Sequence, residues 1–227
     1  TLEKQALESF DGIIVTTKKK KKEFQERFNV NSRNIEIIPQ GVNLEGVRRA
    51  SQKRHFSESI RLIYAGSFYK NLREPKELFK ALHSQRGCSL DIYGHQFSRE
   101  YYPLPKKVKY CGLFPNEKLL KLYHDYDFVV FIDNSHGSQM SGKIFELLAL
   151  KMPILFIYNN IYSEAYNIVK DLAFVFCVKN CQSQIKDMLE YMLENGSSNL
   201  DFDSINVNSL SWESRADNYE NYVSRIV

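Results

Sequence analysis

The sequence contains no apolar run long enough to cross a bilayer. Its longest, such as Asp127 to Asp133 and Met152 to Tyr158, fall far short of the roughly 20 residues that a spanning helix needs. No signal-peptide pattern is read at its first residues, so any membrane contact is expected to be peripheral. Cysteine is scarce: Cys88, Cys111, Cys177 and Cys181 sit mostly at the ends of apolar runs without C-x-x-C spacing. That excludes a disulfide frame or a paired-cysteine zinc site and predicts reduced core thiols, with a reducing cytoplasm as the expected compartment. An excess of one charge is also lacking. The 31 Lys and Arg against 27 Asp and Glu leave a formal charge of +4, with the two signs interleaved; this is no nucleic-acid signature. Neither an internal repeat, nor a low-complexity linker, nor a cluster of His, Asp and Glu at metal-ligand spacing is found, so no metal site is expected.

What is present suffices for one substantial core: 227 residues with 43% hydrophobic composition predict a single domain over residues 1–227. The chain starts with Thr rather than Met, which sets the expectation of a piece excised from a longer protein. Short, β-branched apolar runs recur at Gly12–Thr16, Ile35–Ile38, Arg61–Ala65, Ser89–Tyr93, Val108–Cys111, Phe128–Ile132, Pro153–Ile157 and Ala173–Phe176. These read as strands. Helical stretches lie between most of them, at Lys18–Phe28, Glu74–Ser84, Asn116–Asp125, Lys143–Lys151, Tyr162–Lys170 and Gln182–Asn195, and a last helix, Trp212–Val227, follows a polar loop. Strand and helix alternate, and several strands are apolar on both faces. The fold class is therefore α/β: a doubly wound, mostly parallel sheet with helices on both faces. In such a sheet ligands sit outside the carboxyl ends of the strands, which directs attention to the loops after Ala65, Tyr93, Cys111 and Ile132.

Two of those loops could carry chemistry. In Tyr64-Ala-Gly-Ser-Phe-Tyr-Lys-Asn-Leu-Arg-Glu-Pro75 a strand stops at Gly66, a polar loop follows, and Pro75 stands near the start of a helix. Such a turn can aim backbone N–H groups at a phosphate while Lys70 or Arg73 supplies positive charge; taken alone, it equally fits an ordinary βα turn. In Ser135-His-Gly-Ser-Gln-Met-Ser-Gly-Lys-Ile-Phe-Glu146 a loop of small residues leads into a helix opening near Ser141 or Gly142, with Glu146 in its first turns. A carboxylate there can accept hydrogen bonds from two vicinal hydroxyls, as in a ribose diol, or can merely complement the helix dipole.

The segment Ser141-Gly-Lys-Ile-Phe-Glu-Leu-Leu-Ala-Leu-Lys-Met-Pro-Ile154 resembles the donor-site segment of the family-four glycosyltransferases, S-x-K-x-x-E-x-[ML]-A-x-G-x-P-[VI]. Further segments are similar to this family in order and spacing over residues 10 to 226: Phe10–Thr16, Asn34–Asn43, Tyr64–Gly66, Val108–Leu113, Leu119–Asp127 and Ser211–Glu213. The resemblance implies the C-terminal, nucleotide-sugar donor-binding domain of a GT-B fold. Residues 1–10 would end an interdomain connection, residues 210–227 would form the terminal helix, and the N-terminal acceptor domain would be absent. It further implies that Glu146 binds the ribose diol, that backbone groups at Gly66, Ser67, Ser141, Gly142, Lys143 and Ile144 approach the diphosphate, and that Leu113 and Phe114 flank the nucleobase, where an aromatic ring can stack. The activity so implied is transfer of a sugar from a nucleotide diphosphate sugar to a hydroxyl, in surface or lipid-linked glycan synthesis, with retention of anomeric configuration and with neither metal nor cofactor. Lys70 and Arg73 would stabilise the leaving diphosphate electrostatically; no protein nucleophile is seen.

The sequence also departs from the family pattern. Ser138 stands where many members place a first, sugar-contacting Glu, Ser67 stands where an Arg is common, and Lys151 replaces a Gly. The Ser138 and Ser67 departures motivate one alternative, a nucleotide-sugar-binding module without transfer; another is half of a GT-B epimerase, which uses similar halves for different chemistry. Lys18–Lys22 reads either as a solvated helix face, outside the phosphate loops, or as a peripheral contact with anionic lipid at the inner face of a membrane. His95 and the tyrosines at 101, 102, 123 and 126 read as structural.

Overall fold

The computed structural model describes residues 2–31, 34–45, 47, 59–136, 139–196 and 200–226. After a short helix α1 (Leu2–Glu8) come β1 (Ile13–Val15), α2 (Lys18–Phe28) and β2 (Ile35–Ile37). Helix α2 starts where the Thr17 side chain accepts a hydrogen bond from Lys20 N, and ends where Asn29 turns left-handed at φ 56°. Both are ordinary helix-end devices.

The remaining strands are β3 (Ile60–Ala65), β4 (Cys88–Tyr93), β5 (Val108–Gly112), β6 (Phe128–Ile132), β7 (Ile154–Tyr158) and β8 (Val175–Lys179). They form one parallel sheet in the order β5-β4-β3-β6-β7-β8. Helices α3 (Lys76–Ser84), α4 (Asn116–Leu122), α5 (Lys143–Leu150), α6 (Glu164–Val169) and α7 (Gln182–Asn195) connect or follow them, and α8 (Trp212–Ile226) ends the chain. Because side chains alternate along a strand, the central strands β3, β6 and β7 feed two cores. Leu62, Phe128, Val130 and Leu155 pack with Leu78 and Leu82 of α3 and Ile185 and Leu189 of α7. Ile63, Val129, Phe131 and Phe156 pack with Leu119 of α4, Leu147 and Leu148 of α5 and Ala165 of α6. The α/β class with helices on both faces is thus observed.

The first two strands, β1 and β2, do not join this sheet but form a separate parallel pair. At three residues each they bury only Ile13, Val15 and Ile35, too little surface to extend a sheet covered on both faces. They are tied instead to α8. The Tyr222 hydroxyl accepts from Ile13 N at 3.0 Å and donates to Asn34 O at 2.7 Å; it can do so because Gly12 has no Cβ, which would lie 2.4 Å from that oxygen. The four cysteines are free, and of them Cys88 alone is fully buried. Burial pushes the thiols of Cys88 and Cys177 up to about 12. Among the described residues no helix is long and apolar enough to cross a membrane.

Candidate functional site

The strand order reverses between β3 and β6. Connections run outward from β3 to β4 and β5, then return to place β6 on the other side of β3. The loops leaving β3 and β6 therefore diverge, and a crevice opens between them. A cleft of about 300 Å³ occupies this place, lined by Gly66, Ser67 and Arg73 from the β3 loop, Tyr93 and His95 at the end of β4, Leu113 and Phe114 after β5, and Ser141 and Lys143 at the start of α5.

Close backbone approach shapes the floor. A Cβ on Gly94 would stand 2.0 Å from the Gly66 carbonyl oxygen, so only glycine lets the ends of β3 and β4 come this near. At the end of β5, Gly112 adopts φ 79°, in the region glycine favours, and so turns Leu113 and Phe114 over the opening, where they remain 67% and 39% exposed. The Phe114 ring meets Tyr93 edge-on, with centroids 5.4 Å apart. Beneath it the Tyr126 hydroxyl donates to Asp91 at 2.6 Å and lies 3.3 Å from the Tyr93 hydroxyl. Burial raises the Tyr64 phenol to about 12, against the opposing pull of Arg73. At neutral pH it is therefore a neutral donor, given to the Ser67 carbonyl at 3.2 Å.

The β3 loop separates its two expected cations. Tyr69 and Arg73 exchange backbone hydrogen bonds of 3.0 and 2.8 Å across a tight turn, with Asn71 left-handed at φ 61°. Lys70 sits at the tip of this turn and points away: its side chain is 71% exposed and 3.8 Å from Glu100. Of the two expected cations, Arg73 lines the cleft and Lys70 does not. Arg73 is brought in, its Nε and Nη2 donating to Asn134 Oδ1 at 3.2 and 2.7 Å. The β6 loop is laced to the same turn, since Ser135 donates from N to the Leu72 carbonyl at 2.8 Å and from Oγ to the Asn71 carbonyl at 2.6 Å. Buried Asp133 accepts from Ser163 Oγ and Asn134 N. Burial lifts its carboxyl above the ordinary range, while those donors and the nearby Arg73 oppose the rise.

At α5 the expected residues divide. Ser141 and Lys143 line the cleft. Ile144 is fully buried in the core, and its N–H is used by the Ser141 carbonyl at 3.2 Å, so it offers the cleft neither a side chain nor a backbone donor. At the second position of α5, on the side that faces the sheet, the Ile144 side chain fills the core. Gly142 lies against the Gln40 side-chain amide, where a Cβ would be 1.8 Å from Oε1. Glu146 faces an adjoining cavity of about 400 Å³ that it shares with Lys143, Gly142, Gln40, Asn43 and Trp212. Its carboxylate is paired with Lys143 at 2.8 Å, a contact of opposite charges rather than an aligned hydrogen bond. Lys143 also reaches Asn116 Oδ1 at 3.3 Å. Ser138 lies outside the described residues.

Several residues outside the expected set also line these cavities, Tyr93, Gln40, Asn134 and Tyr123 among them. Tyr93 ends a strand whose following loop was singled out, and Gln40 lies in a segment already matched to the family. Asn134 immediately follows β6, where the strand-end rule points, and Tyr123 lines the cleft from the end of α4. The lysine run is less detached than expected: Lys19 Nζ donates to the His136 carbonyl of the β6 loop at 2.8 Å, and Lys21 Nζ to the Ile35 carbonyl at 2.6 Å.

A doubly wound parallel sheet with a cleft at its switch point and a terminal helix tied back to the first strands is a Rossmann-like architecture, as in one half of a GT-B fold. No protein-family model matches the sequence, and no curated protein does. Solved structures do match in fold. Sucrose-phosphate synthase from Thermosynechococcus elongatus superimposes with TM-score 0.72 at 15% identity, over 99% of this chain and 60% of its own. A glycosyltransferase from Rickettsia africae gives 0.71 at 16% identity, over 100% and 67%. Anabaena HepE in complex with UDP gives 0.74 at 12% identity, over 97% and 65%. The chain thus spans about three fifths to two thirds of the length of these three structures.

Proposed function

We propose that the chain is the donor-binding part of a two-domain glycosyltransferase that moves a sugar from a nucleotide diphosphate sugar to a hydroxyl acceptor, with retention of configuration, in surface or lipid-linked glycan synthesis. The observation that carries this reading is the switch-point cleft, where Arg73, the start of α5 and the exposed Leu113–Phe114 pair converge. Each offers what one part of such a donor needs. An apolar, partly aromatic edge suits a base. A helix start and a guanidinium suit a diphosphate. A carboxylate one turn into α5 suits a diol. As the glycosidic bond breaks, the leaving diphosphate gains negative charge, and a fixed cation lowers the barrier by favouring that charge. The acceptor would approach from a second domain over the open side of the cleft. Attachment to a membrane face through Lys18–Lys22 would rely on charge already partly engaged, since Lys20 and Lys22 pair with Glu23 and Glu26.

Glu146 provides the test, with UDP as probe. To hold the ribose its carboxylate must exchange Lys143 for the two hydroxyls. Glu146→Gln replaces one charged acceptor with an amide donor, and charge-assisted hydrogen bonds contribute about 1.5–3 kcal/mol, so UDP affinity is expected to fall roughly tenfold to a hundredfold. UDP lacking both ribose hydroxyls is expected to bind the wild type poorly and to be almost indifferent to the substitution. Calorimetry on this two-by-two set decides: equal losses for both ligands would leave Glu146 as a dipole-complementing helix residue.

A further inference from the structure

Arg73 borders two cavities at once. It lines the 300 Å³ cleft and a second one of about 410 Å³ that also holds Gln40, Tyr69, Asn134 and Gln139, and Ser141 is likewise common to both. The guanidinium therefore stands where a nucleoside half and a sugar half would join. An arginine side chain samples many rotamers, so an untethered one would swing away from that junction.

We propose that Asn134 is the positioning residue that holds the Arg73 guanidinium at the junction, facing the diphosphate of a nucleotide sugar; this rests on the donor-binding reading above. Asn134 is itself held fast. It is 4% exposed, its Nδ2 donates to the Gln139 carbonyl at 2.8 Å, and its backbone N donates at 2.8 Å to Asp133. Asp133 is anchored in turn by Ser163, the N-cap of α6. Oδ1 takes two of the five guanidinium N–H donors, and the Tyr64 hydroxyl is a second neighbour of the guanidinium, so the remaining donors are those a ligand can use. The acceptor is a neutral amide. A carboxylate in its place would fix the guanidinium equally well but would neutralise the charge that a diphosphate requires. The carboxylate next door, Asp133, is occupied by Ser163 Oγ and Asn134 N. Asn134 thus supplies geometry without spending charge.

The experiment is a calorimetric cycle with UDP and uridine on wild type, Asn134→Ala, Arg73→Gln and the double variant. Asn134→Ala is expected to weaken UDP about fivefold to tenfold and uridine less than twofold, because only UDP carries the phosphates. In the Arg73→Gln background the same substitution is expected to change UDP affinity less than twofold. Full additivity of the two losses, or equal weakening of uridine, overturns the proposal. Arg73→Lys tests it without touching buried Asn134. An ammonium cannot take the bidentate contact, so most of the Arg73→Gln loss should persist; wild-type affinity for UDP in Arg73→Lys overturns the proposal as well. If the wild type binds neither probe, the donor-binding reading itself falls, an outcome distinct from a wild type that binds while the variants show no coupling.

Discussion

Strands β3, β6 and β7 bury apolar side chains on both faces, and β6 is buried at all five positions. Strands β1 and β2 bury three residues between them and leave Ile14 39% exposed. The two regions use the same residue types, chiefly Ile and Val, yet are held by different means. The large sheet is fixed by area removed from water, which is non-directional and proportional to surface. The small pair relies on directional tethers to a helix nearly 200 residues away in sequence, through Tyr222 and through the Arg225–Glu36 contact at 2.9 Å. The difference bears on function, because the cleft is built on the large sheet and its loops, whereas the segment after β2 and the start of α8 line the adjoining cavity, with Gln40, Gly41, Val42 and Trp212 among its walls.

The largest expected effect lies in the large sheet. Phe128 is fully buried and meets the Phe176 ring at 5.3 Å. Phe128→Ala leaves a cavity that flanking strands cannot close, with an expected loss of about 3–5 kcal/mol, read from denaturant midpoints at constant slope. A loss under about 1 kcal/mol would show that the sheet is not the stabilising unit. Tyr222→Phe probes the other region. It strips the acceptor from Ile13 N and the donor from Asn34 O, and an orphaned buried group costs about 1–3 kcal/mol. The effect should be local: amide exchange is expected to speed up across β1 while β6 keeps its protection. Uniform loss of protection in both would mean that the two regions open as one unit.

Much of this division was legible in the sequence, and the part that was not has physical causes. The eight strands and the extents of α2 and α7 follow from apolar patterning, because local period and burial agree there. Helix α1 was not legible, since it buries no residue and so leaves no periodic signal. The pairing of β1 with β2 alone was hidden because three-residue runs look alike whichever sheet they enter. At the site, strand-end logic and family resemblance pointed to Gly66, Ser67, Arg73, Leu113, Phe114, Ser141 and Lys143, all of which line the cleft. They could not separate Lys70 from Arg73, a distinction made by the left-handed Asn71. Nor could they foresee how Lys151 survives where the family pattern has Gly. It adopts φ 51°, and its buried amine is matched by Asp203 at 2.6 Å, 52 residues onward.

The smallest expected effect sharpens the comparison from the opposite side, because the large sheet also carries a polar tether. Glu77 on α3 accepts from Lys80 at 2.6 Å and from the backbone N of Gln182, the first residue of α7, at 3.2 Å. The Lys80 hydrogen bond and then that backbone donor hold its carboxyl below the ordinary 4.5, against some desolvation. A carboxyl depressed in the folded state contributes stability above its unfolded value and loses it as pH falls through the folded one. The group is largely solvated, so its contribution should be well under ~1 kcal/mol. Glu77→Gln is expected to lower the urea midpoint slightly at pH 7, and the gap from wild type should close as pH falls below 4.5. A gap that stays constant down to pH 3 would mean that the amide packs differently and that the charge on Glu77 contributes nothing. A gap as large as that of Tyr222→Phe would mean that the large sheet, like the small pair, depends on its tethers.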